Sequence, residues 1–412
     1  MDRNPEERRQ ARAQKKTKAA ARRKLLWRIS LIVAGAALIV GIILLISSCS
    51  HREPAPEPVL GDDTVIHFVA GGDLTVTNKL ITVGERGYDE IFRDVAPLFA
   101  NADLSTLNLE GNLAGAPYGS STGSAPMTLA YALQKTGLDM VQLANSFSNS
   151  RGPSGLHATI DNAVAAGLEP VGVFKDTQQF KEKRGFSLFQ IKGIKIAVVA
   201  FTKGLNGMSL LDGNEDCVNL LYKDYDTTYQ KINTDGINAI LDDIDRESPD
   251  LVIALVHWGS EFNDNISSTQ KSIVKLLQGR GVDAIIGSHP HYVQELVYDE
   301  ITGQFLAYSL GDFLPSAFEL KPVPDIHPVA GTEYSILLDL EITKSAATGE
   351  TKITGYSYTP LFSVSTEDSL RVVRLLDAMA AYENNHLDAV SEDIYDDMAY
   401  AKKRIEARVK GG

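Results

Sequence analysis

The sequence predicts an α/β fold for most of the chain, on three observations. Apolar, β-branched runs of strand length recur, amphipathic stretches of helix length lie between several of them, and glycine or proline stands at or near their edges. In order, strands are read at 65–70, 104–109, 140–144, 195–201, 251–257, 284–287 and 305–310, and helices at 89–101, 155–166, 234–246 and 268–281. Such alternation favours a parallel or mixed sheet. Beyond Leu314 the texture changes. Residues 332–342 and 352–358 read as a hairpin-like pair that closes the sheet across a Ser/Ala/Thr/Gly-rich connection. Ser365, with Asp368 three residues on, reads as the start of a helix with Leu370, Val373, Leu376 and Ala380 on one face, and the charged C-terminal stretch reads as helix.

Ahead of this body the composition is unlike the rest. Residues 1–28 carry 11 Lys/Arg against 3 Asp/Glu, leaving 29 basic and 50 acidic residues for the remainder, a net −21. The basic block is followed by an uncharged apolar run at 29–46, long enough as a helix to nearly cross a hydrocarbon core of about 30 Å. Lys and Arg on one flank only put 1–28 in the cytoplasm and the body outside, on a single-pass cell-membrane protein. The domain reading is therefore a basic cytoplasmic tail (1–28), a transmembrane helix (29–48), a Pro-rich linker (49–63), the main domain (64–316), and C-terminal strands with a charged helical segment that complete it (317–412). Leu45-Ile-Ser-Ser-Cys49 resembles a lipobox, so a lipoprotein anchored at Cys49 is the alternative. With Cys217 as the one other cysteine, a disulfide framework is excluded. The acidic body argues against nucleic acid and against unassisted binding of a polyanion, and the basic tail suits anionic lipid or a cytoplasmic partner.

Chemistry in an α/β domain collects where strands end. Gly71-Gly72-Asp73 places a carboxylate at the tip of the first strand, and Asn108 and Glu110 fall on one side of the second by the period of two. Asn145 follows the third, His257 ends the fifth with Glu261 shortly after, and Asp312 stands just beyond a glycine. His289-Pro290-His291 brings two imidazoles to one side of an extended segment, which suits convergence on a divalent cation. Singly, each has an ordinary reading: a turn former, a packed core histidine, a polar loop. The succession at predicted strand ends is what points to a metal site.

That succession resembles the CapA family of poly-γ-glutamate capsule synthesis proteins, from about Val65 to Leu314, through Gly-Gly-Asp73, Asn108-Leu-Glu-Gly111, Leu143-Ala-Asn145, His257-Trp-Gly259, His289-Pro-His291 and Tyr308-Ser-Leu-Gly-Asp312-Phe313. The resemblance implies a metallophosphatase-like four-layer αββα sandwich. It implies Asp73, Glu110, His257, His289 and His291 as metal ligands, with Asn145 able to slide into that role and Asn108, Glu261 and Asp312 behind them. One or two divalent ions (Mn, Zn or Fe) are the implied cofactors. The implied function is support of synthesis, export or anchoring of an anionic envelope polymer such as poly-γ-glutamate, with polymer-synthesis subunits as partners. The third motif departs from the family pattern Ala-Asn-Asn-His, reading Ala144-Asn145-Ser146-Phe147. The second Asn, a metal ligand, and the His, a general acid, are missing, and Phe147 donates no proton. Two alternatives to polymer support follow: an active binuclear metal-dependent hydrolase of phosphoesterase type, or a metal-poor scaffold that binds without catalysis.

Overall fold

Strand β1 (Thr64–Thr75) begins the domain, and β2 (Leu104–Glu110), β3 (Met140–Gln142) and β4 (Glu169–Val171) line up parallel to it, each after helical connections. The chain then builds a second sheet from β5 (Ser187–Ile191), β6 (Ile194–Thr202), β7 (Leu251–His257), β8 (Ala284–Ser288), β9 (Leu296–Asp299) and β10 (Gln304–Ala307), in the order β5-β6-β7-β8-β10-β9. It returns to the first with β11 (Asp312–Leu314), β12 (Tyr334–Lys344), β13 (Thr351–Ser365) and β14 (Leu370–Arg374). The first sheet runs β14-β13-β12-β1-β2-β3-β4, with β11 also on β1. This computed structural model describes residues 62–315, 332–384 and 391–410. The apolar run at 29–46, Cys49 and the linker lie outside the described residues, and among those described no helix is long and apolar enough to cross a membrane.

The layering follows from alternation along the strands. In β6, Ile194, Ile196, Val198 and Ala200 join a core shared with the first sheet, whereas Ala197, Val199 and Phe201 face the opposite way. There they meet Ile237, Ile240, Leu241 and Ile244 of helix Thr234–Glu247 and Ile273, Val274 and Leu277 of helix Ser268–Gly279. Strand β7 divides in the same way, with Leu251, Ile253 and Leu255 inward and Val252, Ala254 and Val256 outward. A run buried on both faces carries no polar alternation, which is why it reads as continuously hydrophobic. Helices Met127–Thr136 and Gly152–Ala165 bury Leu129, Leu133, Leu156 and Ile160 against the first sheet, and all seven residues of β2 are buried. The result is a mixed α/β fold of two sheets with helices packed on them.

Four expectations change. Residues 89–101 form two short helices, Asp89–Phe92 and Ala96–Ala100. Residues 305–310 are strand only to Ala307. The hairpin-like pair forms, β13 lying antiparallel on β12 and β12 on β1, but it is not the edge of the sheet, because β14 follows beyond it. The helix read from Ser365 begins only at Leu375, because 370–374 pairs as β14 against β13 and buries Leu370, Val372 and Val373, an alternation that also satisfies a helical count.

Candidate metal centre

The first ligand-type residue is set by a glycine. β1 slips register against β2 between Ala70 and Asp73, and a Cβ on Gly72 would lie 1.9 Å from the Gly311 carbonyl oxygen. Only glycine lets the two backbones approach this closely. The Asp73 amide donates to that same carbonyl at 2.9 Å. Asp73 thus lies within β1, past the irregularity, rather than at its tip, and is wholly buried. Its carboxylate accepts from Asn108 Nδ2 at 2.6 Å and from the His289 backbone amide at 2.9 Å. Glu110, two residues beyond Asn108 on the same side of β2, brings Oε1 to 3.5 Å from His257 Nδ1 and Oε2 to 3.9 Å from His291 Nε2.

The two histidines after β8 are not on an extended segment. His289 has φ +90° and His291 φ +61°, so the chain turns sharply at both, and the cluster's hydrogen bonds hold this strained backbone. The turn, rather than the proline between them, directs both rings into the cluster. His291 Nδ1 lies 2.7 Å from Asp312 Oδ1 and 3.7 Å from Asp73 Oδ2, and Phe262 stacks on its ring at 5.0 Å. The His257 and His289 rings are 4.3 Å apart.

Three overlapping triplets result, each with ligand atoms within 4.8 Å of one another: Glu110, His289 and His291; Asp73, Glu110 and His257; and Asp73, His291 and Asp312. Asp312, expected behind the ligands, presents its carboxylate as a direct member. Burial raises the Asp73 carboxyl despite His291 and its hydrogen bonds, raises Glu110 well above the usual carboxylate range with Asp73 adding to it, and pushes Asp312 up to about 7. Burial and the neighbouring cations hold His257 and His289 well below the usual imidazole range, leaving them neutral as ligation requires. Burial also opposes charge on His291, but Asp312, Glu110 and Asp73 together hold it well above that range. Glu110 Oε1, His289 Nδ1 and Asp312 Oδ2 are buried without a hydrogen-bond partner. Unpartnered ligand atoms among converging carboxyls and imidazoles are a donor set that could hold a divalent cation.

The third motif behaves differently from its neighbours. Asn145 is buried, but its amide nitrogen donates to Asn108 Oδ1 at 3.0 Å and to the Leu109 carbonyl at 2.7 Å, and its oxygen accepts from the Phe147 amide at 2.9 Å. Its role is to hold Asn108, which in turn orients Asp73. The residue that faces the cluster is Ser146, whose amide and hydroxyl lie 3.3 and 3.0 Å from His257 Nε2. Phe147 turns away against Gly123. His157 pairs with the Lys175 carbonyl and supplies no acid here. Glu261, expected behind the ligands, is exposed and lines the mouth of a cavity of about 250 Å³. The sequence reading missed Lys203, which directly follows β6, donates its amide to the His257 carbonyl at 2.8 Å and lines that cavity; its signal was the same as for the others, a polar residue directly after a buried strand.

Fold and cluster together define an α/β protein with a buried carboxylate and imidazole site suited to divalent cations. The chain belongs to the bacterial capsule synthesis protein family PGA_cap, whose model matches residues 67–316. It is similar to the capsule biosynthesis protein CapA of Bacillus anthracis, at 24% identity over 67% of this chain and 66% of that protein. It is also similar to the PGA biosynthesis protein CapA of Bacillus subtilis, at 22% identity over 67% of this chain and 70% of that one. The match thus spans about two thirds of the length of these curated relatives. Among solved structures, a calcineurin-like phosphoesterase from Bacillus subtilis is similar at 14% identity and a TM-score of 0.41, with 82% of this chain and 99% of that chain covered.

Proposed function

We propose that this protein is anchored in the bacterial cell membrane by 29–48, or at Cys49, with its domain outside the cytoplasm. There it supports synthesis, export or anchoring of an anionic envelope polymer such as poly-γ-glutamate, in company with polymer-synthesis subunits. Its two sheets and flanking helices serve as a metallophosphatase-like αββα sandwich. Asp73, Glu110, His257, His289, His291 and Asp312 hold one or two divalent ions, of which Mn, Zn and Fe suit mixed oxygen and imidazole donors. The observation that carries this reading is the convergence of three buried carboxylates and three imidazoles with three unpartnered ligand atoms among them.

A divalent ion there supplies Lewis acidity. The chain's own groups orient the ligands: Asn145 positions Asn108, Asn108 positions Asp73, and Ser146 bonds to His257. Phe147 favours a second reading, in which the site binds without hydrolysing, because no group at that position gives a proton to a leaving oxygen.

The deciding experiment measures bound Mn or Zn per chain on full-length protein by elemental analysis, with His289→Ala/His291→Ala as control. One or two ions, lost in the control, support the metal centre, and none refutes it. Hydrolysis of a chromogenic phosphodiester that vanishes in His257→Ala then separates enzyme from binder.

A further inference from the structure

Two cavities open over the ends of the strands, and they share a residue. The first, about 250 Å³, is lined by Ser146, Lys203 and His289 among others and adjoins the metal centre. The second, about 310 Å³, is lined by Ser120, Thr122, Phe147 and Arg151 among others. Asn206 lines both, so they are neighbours along one depression. Ser146, Phe147 and Arg151 follow β3 of the first sheet, and Lys203 and Asn206 follow β6 of the second, so the depression crosses from one sheet to the other over their carboxyl ends, where ligands of α/β sheets gather.

Each cavity holds one cation that the fold has positioned but not neutralised. Lys203 Nζ donates to the Gly259 carbonyl at 2.7 Å and lies 4.8 Å from the centre of the Tyr229 ring, which fixes the ammonium and leaves further N–H groups free. Arg151 makes one long contact, Nη2 to the Ala116 carbonyl at 3.4 Å, and its Nη1 is buried without a partner. Among the described residues neither is paired with a carboxylate, although the body is strongly acidic and most of its other cations are paired. Glu261 is the carboxylate at the rim on the Lys203 side.

We propose that the two cavities form one groove that seats an extended carboxylate-bearing chain, with Lys203 and Arg151 each holding one carboxylate on either side of Asn206. Single, separated cations match singly charged groups spaced along a polymer; a phosphate dianion is better served by clustered charge. The carboxylate identity rests on the function proposed above, whereas the groove rests on its own lining. Phe147, which cannot act as an acid, forms part of its wall. The same substitution that removes the proton donor therefore adds apolar surface for the polymer backbone.

The test titrates full-length protein, metal-loaded and chelated, with a short γ-linked glutamate oligomer, with free glutamate and with inorganic phosphate, by calorimetry. Lys203→Met and Arg151→Met are each expected to weaken oligomer binding by about tenfold or more, the scale of one charged hydrogen bond. Lys203→Arg should retain most of the affinity, and Glu261→Gln should increase it. Free glutamate should be insensitive to Arg151→Met, since it does not span the groove. Oligomer affinity unchanged in both Met variants, with unaltered thermal melting, would overturn the proposal, as would phosphate binding that depends on Lys203 in a protein that ignores the oligomer. Arg151-dependent oligomer binding in protein that carries no metal supports the groove while refuting the metal centre. Two bound ions with no dependence on either cation does the reverse.

Discussion

Gly72 shows how one missing side chain sets the geometry of the site. With a Cβ 1.9 Å from the Gly311 oxygen, Gly72→Ala has to push β1 away from the segment entering β11, moving Asp73 relative to Asp312 and His291. A loss of about 1–3 kcal/mol in chemical denaturation is expected, together with a fall in bound metal; wild-type stability with full metal content would contradict this account. Phe147 is the opposite case, a side chain with no proton to give that packs against Gly123 and lines the neighbouring cavity. Phe147→His restores the imidazole found at the matching position of the family pattern. If the metal centre is otherwise competent, phosphodiester hydrolysis should rise by about a hundredfold, the lower end of the range for general acid catalysis. No change in rate would mean that the missing acid is not what limits the reaction. Both residues were visible in the sequence, but with unequal meaning. A Gly-Gly-Asp run reads as a turn until the Gly311 carbonyl is placed against it, and Ser146 reads as loop until it is found on His257 Nε2.

At the level of elements, strands were the legible part, because residues buried on both faces give uninterrupted apolar runs whose ends stand out. β7 has the bounds read from its sequence, and β2, β6 and β8 differ by about one residue at an end. Short or half-exposed elements escaped: β4 is three residues long and β5 alternates only weakly in burial. One element joint is held by charge. Glu247, at the end of helix Thr234–Glu247, meets Lys195 Nζ of β6 at 2.8 Å and Arg184 at 2.5 Å. Hydrogen bonds from Lys195 and Arg184 hold its carboxyl down to about 2. Because the folded value lies below the unfolded one of about 4.3, the stabilisation is complete above that pH and is lost as pH falls through about 2. The difference in melting temperature between wild type and Glu247→Gln should therefore be present at neutral pH and shrink to nothing near pH 2. A constant difference across that window would assign the effect to packing instead. The C-terminal helix Glu392–Val409 is tied in similarly, Arg404 and Arg408 both meeting Asp264 in the segment that follows β7.

For the whole molecule, the proposed centre would couple to stability because its candidate ligands come from both sheets: Asp73, Glu110 and Asp312 from the first, His257 at the end of β7 and the two histidines after β8 from the second. A cation held there would bridge the sheets and would be lost from the unfolded chain. At a free concentration a hundred times its dissociation constant it should add about 2.7 kcal/mol, raising the melting temperature of full-length protein. Chelation should reverse that rise, and His289→Ala/His291→Ala should abolish it; a melting temperature indifferent to metal in the wild type would sink the coupling. What the sequence determined by itself was local: which runs are buried strands, which polar residues stand at their ends, and a charge pattern that sets the first 46 residues apart. Those follow from periodicity and composition, which are properties of neighbours along the chain. Only the tertiary structure decided that Asp312 joins the cluster, that Asn145 braces Asn108, that Glu261 stands at the rim, and that 370–374 is a strand. Each of these depends on a partner 21 or more residues away, except the strand β14, whose assignment needed β13 beside it. Distance along the chain carries no record of such meetings.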